Sequence, residues 1–478
     1  MTLGSIVRRK AIIIAVALPM LALGAHAQGT NAPVAPASRG SYSGSVPTKP
    51  VPGVLPLSLD DAISRGLKQN LGILLSSADV TSARGQRWQQ LSALLPHVNA
   101  SPYVDVSQVN LKEFGFNFTA PAGSGFNIPS IVGPFSYFDA RANLSQQLFD
   151  WKSIENARAS AERVKSSEHT YKDARDLVVL AVGYNYLLGI ADEARIETSE
   201  AQVKTAQALY QQAKDQVSAG TSPAIDALRS QVELQTRQQQ LIQARNDFAI
   251  QKLTLARAIG LAPGQEFELT DKSPYEPVAG LTVEEAEKRA YASRSDFQAA
   301  LADVRAAEYA RKAASAERYP SLGFTADYGV AGQHADSSHG VMDARGTLTI
   351  PIFQGGAIHG DILQAQAQLD QNRDRLENLR AQIDADVRTA LLNLQSSSDQ
   401  VAVARSNIDL AQQTLAQSRD RFSAGVTDTV EVVQAEEQVA SANELYISSL
   451  YNFNYAKIAL ARALGTAEQD VKEYFKGH

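Results

Sequence analysis

"DARANLSQQLFD" occupies Asp139–Asp150, and "DARGTLTIPIFQ" occupies Asp343–Gln354. Both start Asp-Ala-Arg and then alternate. In the first, Arg141, Asn143, Ser145 and Gln147 share one parity, and Ala140, Ala142, Leu144 and Leu148 share the other. Period two with one apolar side marks a strand whose two faces meet different surroundings. Each stretch then runs into a very long helical pattern, about 151–217 and 357–422. A strand feeding a helix of that length, twice in one chain, sets the architecture.

The rest of the chain repeats in the same order. "LSLDDAISRGLKQN" from Leu57 aligns with "LTVEEAEKRAYASR" from Leu281 at an offset of 224, which also carries Pro96 onto Pro320. The Asp-Ala-Arg blocks align at 204, and "ARAIG" from Ala256 aligns with "ARALG" from Ala461 at 205. Between them, "SAGTSPAIDAL" (218–228) matches "SAGVTDTVEVV" (423–433), also at 205. The first copy therefore has about 20 extra residues between its proline and its Asp-Ala-Arg block. The expected layout is a first repeat over 57–278, with strands near 98–110 and 135–149. A second repeat covers 279–468, with strands near 322–332 and 341–353, and a tail follows at 469–478.

Each copy reads helix, two strands, long helix, turn, helix. The first helix is predicted over 57–95 and 281–319, ending before Pro96 and Pro320 because proline restricts the preceding residue. At ~1.5 Å per residue, each long helix spans roughly 100 Å. Two helices of about 39 residues end to end match that length. In the second copy Ile383, Val387, Ala390, Leu394, Ser397, Val401, Ala404, Ile408, Ala411, Leu415, Ser418 and Phe422 recur at 4-3 spacing. Ser199, Val203, Ala206, Tyr210, Ala213 and Val217 do so in the first. A seven-residue period marks a coiled-coil seam, although an ordinary bundle core fits it too. The predicted class is mostly α with a small β part, built as a duplicated helix–β-hairpin–long-helix–helix repeat.

The start of the chain is a signal-peptide match. Arg8, Arg9 and Lys10 precede an apolar run, Ala11–Leu23, that ends at Ala25-His26-Ala27. Cleavage after Ala27 is expected, followed by a flexible Pro/Gly/Ser-rich leader over 28–56. The chain has no cysteine, so neither disulfides nor a cysteine-linked lipid are expected. Mean hydropathy is −0.20, and no other apolar run looks long enough for a helical span. A net charge of −6 gives no reason to expect nucleic acid as a partner.

Four strands cannot close a membrane barrel, whose minimum is about eight. They form a soluble sheet, or they share a barrel with other chains. Three chains would supply twelve strands. The odd residues Arg141, Asn143, Ser145 and Gln147 would then face the lumen, and Ala140, Ala142, Leu144 and Leu148 would face lipid. The first hairpin loop, Leu111–Phe138, carries seven aromatics, as an interface girdle or as loop packing. In the Ser-Ala-Gly turns, Gly220 and Gly425 suit a left-handed helix end. Thr221 or Ser222, and Thr427 or Asp428, suit the next helix cap, with Pro223 in its first turn. Asp226 and Glu431, six residues after each glycine, suit a helix N-terminus.

No nucleophile elbow, P-loop or dinucleotide fingerprint is present, so neither an enzyme nor a cofactor is expected. His334 and His339 share a loop, but a metal site needs three or four ligands.

"SRSDFQAALADVRAAEYARKAASAERYPSLGFTADYG" (293–329), "LTIPIFQGGAIHGDILQAQAQL" (348–369) and "RFSAGVTDTVEVVQAE" (421–436) resemble the TolC-like outer-membrane efflux protein family. The likeness covers about 57–466. It implies a homotrimeric channel-tunnel: a 12-stranded β-barrel in outer-membrane lipid and a long α-helical periplasmic barrel. It also implies a periplasmic adaptor at the helical tips and an inner-membrane transporter that supplies the energy. The helix–strand junctions would lie at Pro96, Pro320, Pro351, Gly355 and Gly356. In the family the tips form an aperture, here Gly220, Asp226, Phe422, Gly425, Thr427, Glu431 and Gln434. Asp226 and Glu431 keep the family's acids. Gln434 replaces a second aspartate, Phe422 a gating tyrosine, and Thr427 a frequent basic residue. The competing functions are a periplasmic coiled-coil adaptor and a structural protein without channel activity.

Overall fold

A computed structural model of the chain describes residues 42–116, 129–272, 275 and 280–474. The expected signal peptide, residues 28–41 of the expected leader, the middle of the first hairpin loop (117–128) and residues 475–478 lie outside the described residues. The first repeat contains β1 (Leu55–Leu57), α1 (Leu59–Gln69), α2 (Leu71–Ser92), β2 (His97–Ala100), β3 (Tyr103–Asn110), β4 (Ile131–Phe149), α3 (Trp151–Ser218), α4 (Ala224–Ile259) and β5 (Phe267–Leu269). The second contains α5 (Val283–Ser293), α6 (Ser295–Ala316), β6 (Ser321–Gly332), β7 (His339–Thr349), α7 (Ala357–Ser423), α8 (Thr429–Leu464) and α9 (Ala467–Tyr474).

The duplication extends to helix ends. α1 and α5, and α2 and α6, correspond at the offset of 224, as do their breaks at Asn70 and Arg294. Those breaks correct the single helices expected over 57–95 and 281–319. Asn70 (φ −63, ψ 131) and Arg294 (φ −62, ψ 118) are extended. Asn70 Oδ1 accepts from Gly72 N at 2.9 Å and caps α2. Its Nδ2 donates to Tyr42 O at 2.6 Å. The guanidinium of Arg294 instead binds Asp296 (2.6 Å) and Asp386 (2.9 Å). The helices also stop at Ser92 and Ala316, short of the prolines. The last turn tightens there to i→i−3 bonds, Leu95 N to Ser92 O and Tyr319 N to Ala316 O, which satisfies carbonyls that a proline cannot serve.

α3 is flanked by α2 on its sheet-proximal half and by α4 towards the tip, and it also packs on α6 and α8. α7 packs on α6 and α8. The α7 seam buries Ile383, Val387, Ala390, Ser397, Val401, Ala404, Ala411, Ser418 and Phe422, while Leu394, Ile408 and Leu415 are half-buried. On α3, Ala206 and Ala213 are buried as expected from spacing, but the large buried residue is Leu209 rather than Tyr210. Leu209 is drawn inward because it packs on Phe422 and Val432 from the other copy.

The largest core lies where both copies meet midway along α3. Ile63, Val178, Val182, Tyr186, Leu255, Ile259, Phe267 and Ile458 pack together there, each contributing about 1.5–3 kcal/mol by burial. This stretch makes α3 long and apolar enough to cross a membrane by length and composition, with mean hydropathy 1.3. More than half of it (56 %) is nevertheless buried in the protein, so the apolar run missed at the sequence level is core. Residues 42–57 follow the same level: Val46 N donates to Gln69 O, Thr48 N to Gly260 O, and β1 pairs in parallel with β5. Backbone bonds hold this segment, which is why it shows no apolar period.

The remaining strands form one antiparallel sheet, ordered β2–β4–β6–β7, with β3 also on β4. The first expected strand is thus two segments. Pro102 between them lacks a donor, while Ser101 N still reaches Arg141 O at 3.1 Å. Register gives the sheet two unlike faces. Val98, Val104, Leu144, Ala326, Tyr328, Met342 and Leu348 share one; Asp105, Arg141, Asn143, Asp327, Asp343 and Arg345 share the other. Tyr328 (71 %) and Met342 (76 %) are strongly exposed on the apolar face.

Candidate functional site: the paired helical tips

Both tips are built by the same bonds. Ala219 N donates to Asp215 O, Gly220 N to Val217 O and Thr221 N to Gln216 O. Ala424 N, Gly425 N and Val426 N do the same to Asp420 O, Phe422 O and Arg421 O, all at 3.0 Å. Gly220 (φ +74) and Gly425 (φ +71) are left-handed, as this helix stop requires. Ser218 Oγ donates to Asp215 O at 2.7 Å and Ser423 Oγ to Asp420 O at 2.8 Å. The serine and the glycine of the shared triplet therefore both finish the outgoing helix.

The caps of the returning helices differ. Asp428 caps α8, accepting from Val430 N. At the first tip Pro223 occupies the cap position, without a side-chain bond. Thr221 and Ser222 turn back to Gln216 O (3.0 Å) and Oε1 (3.2 Å). They close α3 rather than open α4, because Pro223 already sets the entry angle.

The two acids have unlike surroundings. Asp226 is buried, with Arg229 Nη1 at 3.8 Å and its own backbone oxygen accepting from Ser230 Oγ. Glu431 is half-buried and held from three sides, by Thr427 Oγ1, Ser418 Oγ (3.4 Å) and Arg421 Nε (3.6 Å). No hydrogen bond or ion pair joins Asp226 to Glu431 among the described residues. Phe422 is buried against Leu209 and Val432, and Gln434 is exposed.

Farther from the tips lies a charged layer that the sequence reading did not single out. Glu233 and Arg237 pair at 2.6 Å on α4, and Arg419 of α7 reaches Glu436 of α8 at 3.1 Å. Glu233, Arg237 and Glu436 are all buried. Burial pushes the Glu436 carboxyl above the ordinary range, and Arg419 partly offsets this. The 233/237 spacing, i to i+4, was its one legible signal. At the other end of the helices, Pro96 and Pro320 each directly precede a strand, Pro351 follows β7, and Gly355 (φ +60) and Gly356 (φ +91) lead into α7. His334 does not converge with His339: its Nδ1 lies 3.2 Å from Ser136 Oγ, while His339 pairs in register with Ala331.

Paired helical hairpins of this length, continuous with a two-faced sheet, define a class of bacterial envelope proteins. The family model for outer membrane efflux proteins matches residues 62–261 and 287–466, one segment per repeat, and the chain belongs to that family. It is 24% identical over 356 residues to outer membrane protein TolC of Escherichia coli (strain K12), covering 70% of each chain. It is 24% identical over 316 residues to the alkaline protease secretion protein AprF of Pseudomonas aeruginosa, covering 63% of this chain and 64% of that one. The Campylobacter jejuni CmeC outer membrane channel superposes with a TM-score of 0.74 at 17% identity, over 87% of this chain and 89% of that chain.

Proposed function

We propose that the chain is an outer-membrane channel-tunnel, the passive exit duct of a tripartite efflux or type I secretion system. The observation that carries this is the sheet, with one apolar face, one polar face and open edges at β3 and β7. Open edges are costly in lipid, and three copies bring twelve strands, enough to close a barrel. The relatives' names divide between efflux and protease secretion, so the cargo class stays with the partner that loads the duct. A periplasmic adaptor docks at the tips, and an inner-membrane transporter supplies energy. A free-standing adaptor or structural role would leave the exposed apolar face without purpose.

In this reading Gly220, Asp226, Phe422, Gly425, Thr427, Glu431 and Gln434 form or border the periplasmic mouth. Glu431, the more accessible acid, sets its charge when three copies surround one axis. The test is purification in detergent followed by single-channel recording in planar bilayers. A trimer that conducts ions is expected, with cation preference reduced in Glu431→Gln and less so in Asp226→Asn. A soluble monomer without conductance would end the proposal. Unchanged selectivity in both variants would remove the mouth assignment alone.

A further inference from the structure

At the helical end of the sheet, β4 runs into α3 beside the junction of α6 with β6. A β-bulge between Gln147 and Phe149 shifts the register there, so that Phe149 stands opposite Leu322 and joins the apolar face. Bulges commonly re-aim a side chain in this way. The Phe149 and Trp151 ring centroids lie 6.1 Å apart. The Arg158 guanidinium sits 5.9 Å from the Trp151 centroid, and its Nη1 is 2.7 Å from Glu155. Lys152 Nζ reaches Glu317 at 2.7 Å, which brings the end of α6 alongside. Arg318 and Tyr319 follow there, both exposed. Arg318 Nε donates to Ser315 O, and no carboxylate pairs with it among the described residues.

Exposure of this patch is not an edge effect. β4 and β6 are inner strands, and one further strand separates each from an open edge. The Phe149–Trp151 pair continues the apolar face with the Arg158 guanidinium beside it, and Arg318 and Tyr319 are the exposed residues next to Glu317 at the end of the adjoining α6. Amphipathic rings favour the boundary between hydrocarbon and headgroups. A guanidinium fork matches the geometry of a phosphate.

We propose that Phe149, Trp151 and Tyr319, with Arg158 and Arg318, form a binding site for a phospholipid phosphate group in the periplasmic leaflet. The site favours anionic phospholipid over zwitterionic. Glu155 offsets much of the Arg158 charge, so Arg318 supplies the preference and Arg158 the geometry. This rests on the reading that the sheet spans the outer membrane.

The chain has two tryptophans, so Trp88→Phe leaves Trp151 as the sole tryptophan, excited selectively at wavelengths tyrosine does not absorb. This variant is inserted into phosphatidylcholine vesicles containing a minority of phosphatidylglycerol, with bromines on one lipid or the other. Bromines near the headgroup end of the acyl chains should quench Trp151 more than bromines near the methyl end. Brominated phosphatidylglycerol should quench about three- to fivefold beyond its mole fraction, the contribution of one interfacial cation. Arg318→Gln, alone or with Arg158→Gln, should return quenching to the mole fraction while the protein still floats with the vesicles. Quenching that follows mole fraction in the Trp88→Phe parent would overturn the site. A parent that neither floats with vesicles nor is quenched by any lipid would overturn the membrane reading as well.

Discussion

Serine, alanine and glycine do different work in each tip. The serine hydroxyl satisfies a carbonyl of the last turn, the alanine stays right-handed, and the glycine turns left-handed. A Cβ added at Gly220 or Gly425 would meet nothing within 4 Å, so only the backbone angle opposes substitution there. Gly465 has a similar angle (φ +74), but a Cβ on it would come within 2.6 Å of Arg294 N. Gly425→Ala should therefore cost about 1–2 kcal/mol, and Gly425→Asn less, because asparagine tolerates the left-handed region. Gly465→Ala and Gly465→Asn should both cost more, since backbone on each side must move. Thermal unfolding followed by circular dichroism would check the order; equal losses at 425 and 465 would contradict it. The glycines were legible because their conformation is a local requirement. The clasp on Glu431 was not, since Ser418 and Arg421 reach it across the turn from the outgoing helix. Only the antiparallel pairing of α7 with α8 places them there.

Among the elements, the long helices could be read closely, because a seven-residue period sustained from Ile383 to Phe422 leaves little choice of state. The breaks at Asn70 and Arg294 could not. No proline lies at either break and no glycine stands near Arg294, and their cause is tertiary. The α4 end at Gly260 abuts Gln69, and the α8 end at Gly465 abuts Arg294, so each shorter helix must sidestep where the opposing helix stops. Asn70 is fully buried and serves both as cap and as donor to Tyr42 O. Asn70→Ala should cost about 2–3 kcal/mol, a lost cap together with a stranded carbonyl. Asn70→Ser keeps the cap and should lose about half as much. Urea unfolding of the detergent-solubilised protein measures both, and a loss below about 0.5 kcal/mol for alanine would mean the break is held by other contacts.

For the whole molecule, the decisive quantity is surface left over. Among the described residues, large apolar side chains stay exposed on helix and sheet alike, Ile242 and Met342 among them. Length alone contributes, since helices of 68 and 67 residues cannot fold into a sphere. The excess is also organised: α4 shows Ile225, Leu228, Val232, Ile242, Ile250 and Leu253 outward, and the sheet ends in unpaired strands on both sides. A head-to-tail contact between unlike edges either closes into a ring or grows without limit. If β3 of one copy meets β7 of the next, four-stranded units close a barrel at three copies. The absence of native cysteine makes this directly measurable. Val104 and Ala344 lie on the same face of the two edge strands, by their register with Phe138 and Ala326. The double variant Val104→Cys/Ala344→Cys, treated in membranes with a short bis-maleimide, should give a denaturing-gel ladder of one, two and three chains that stops at three. Neither single variant should produce it. A ladder that ends at two, or climbs past three, would break the link between strand number and closure even if the channel conducts.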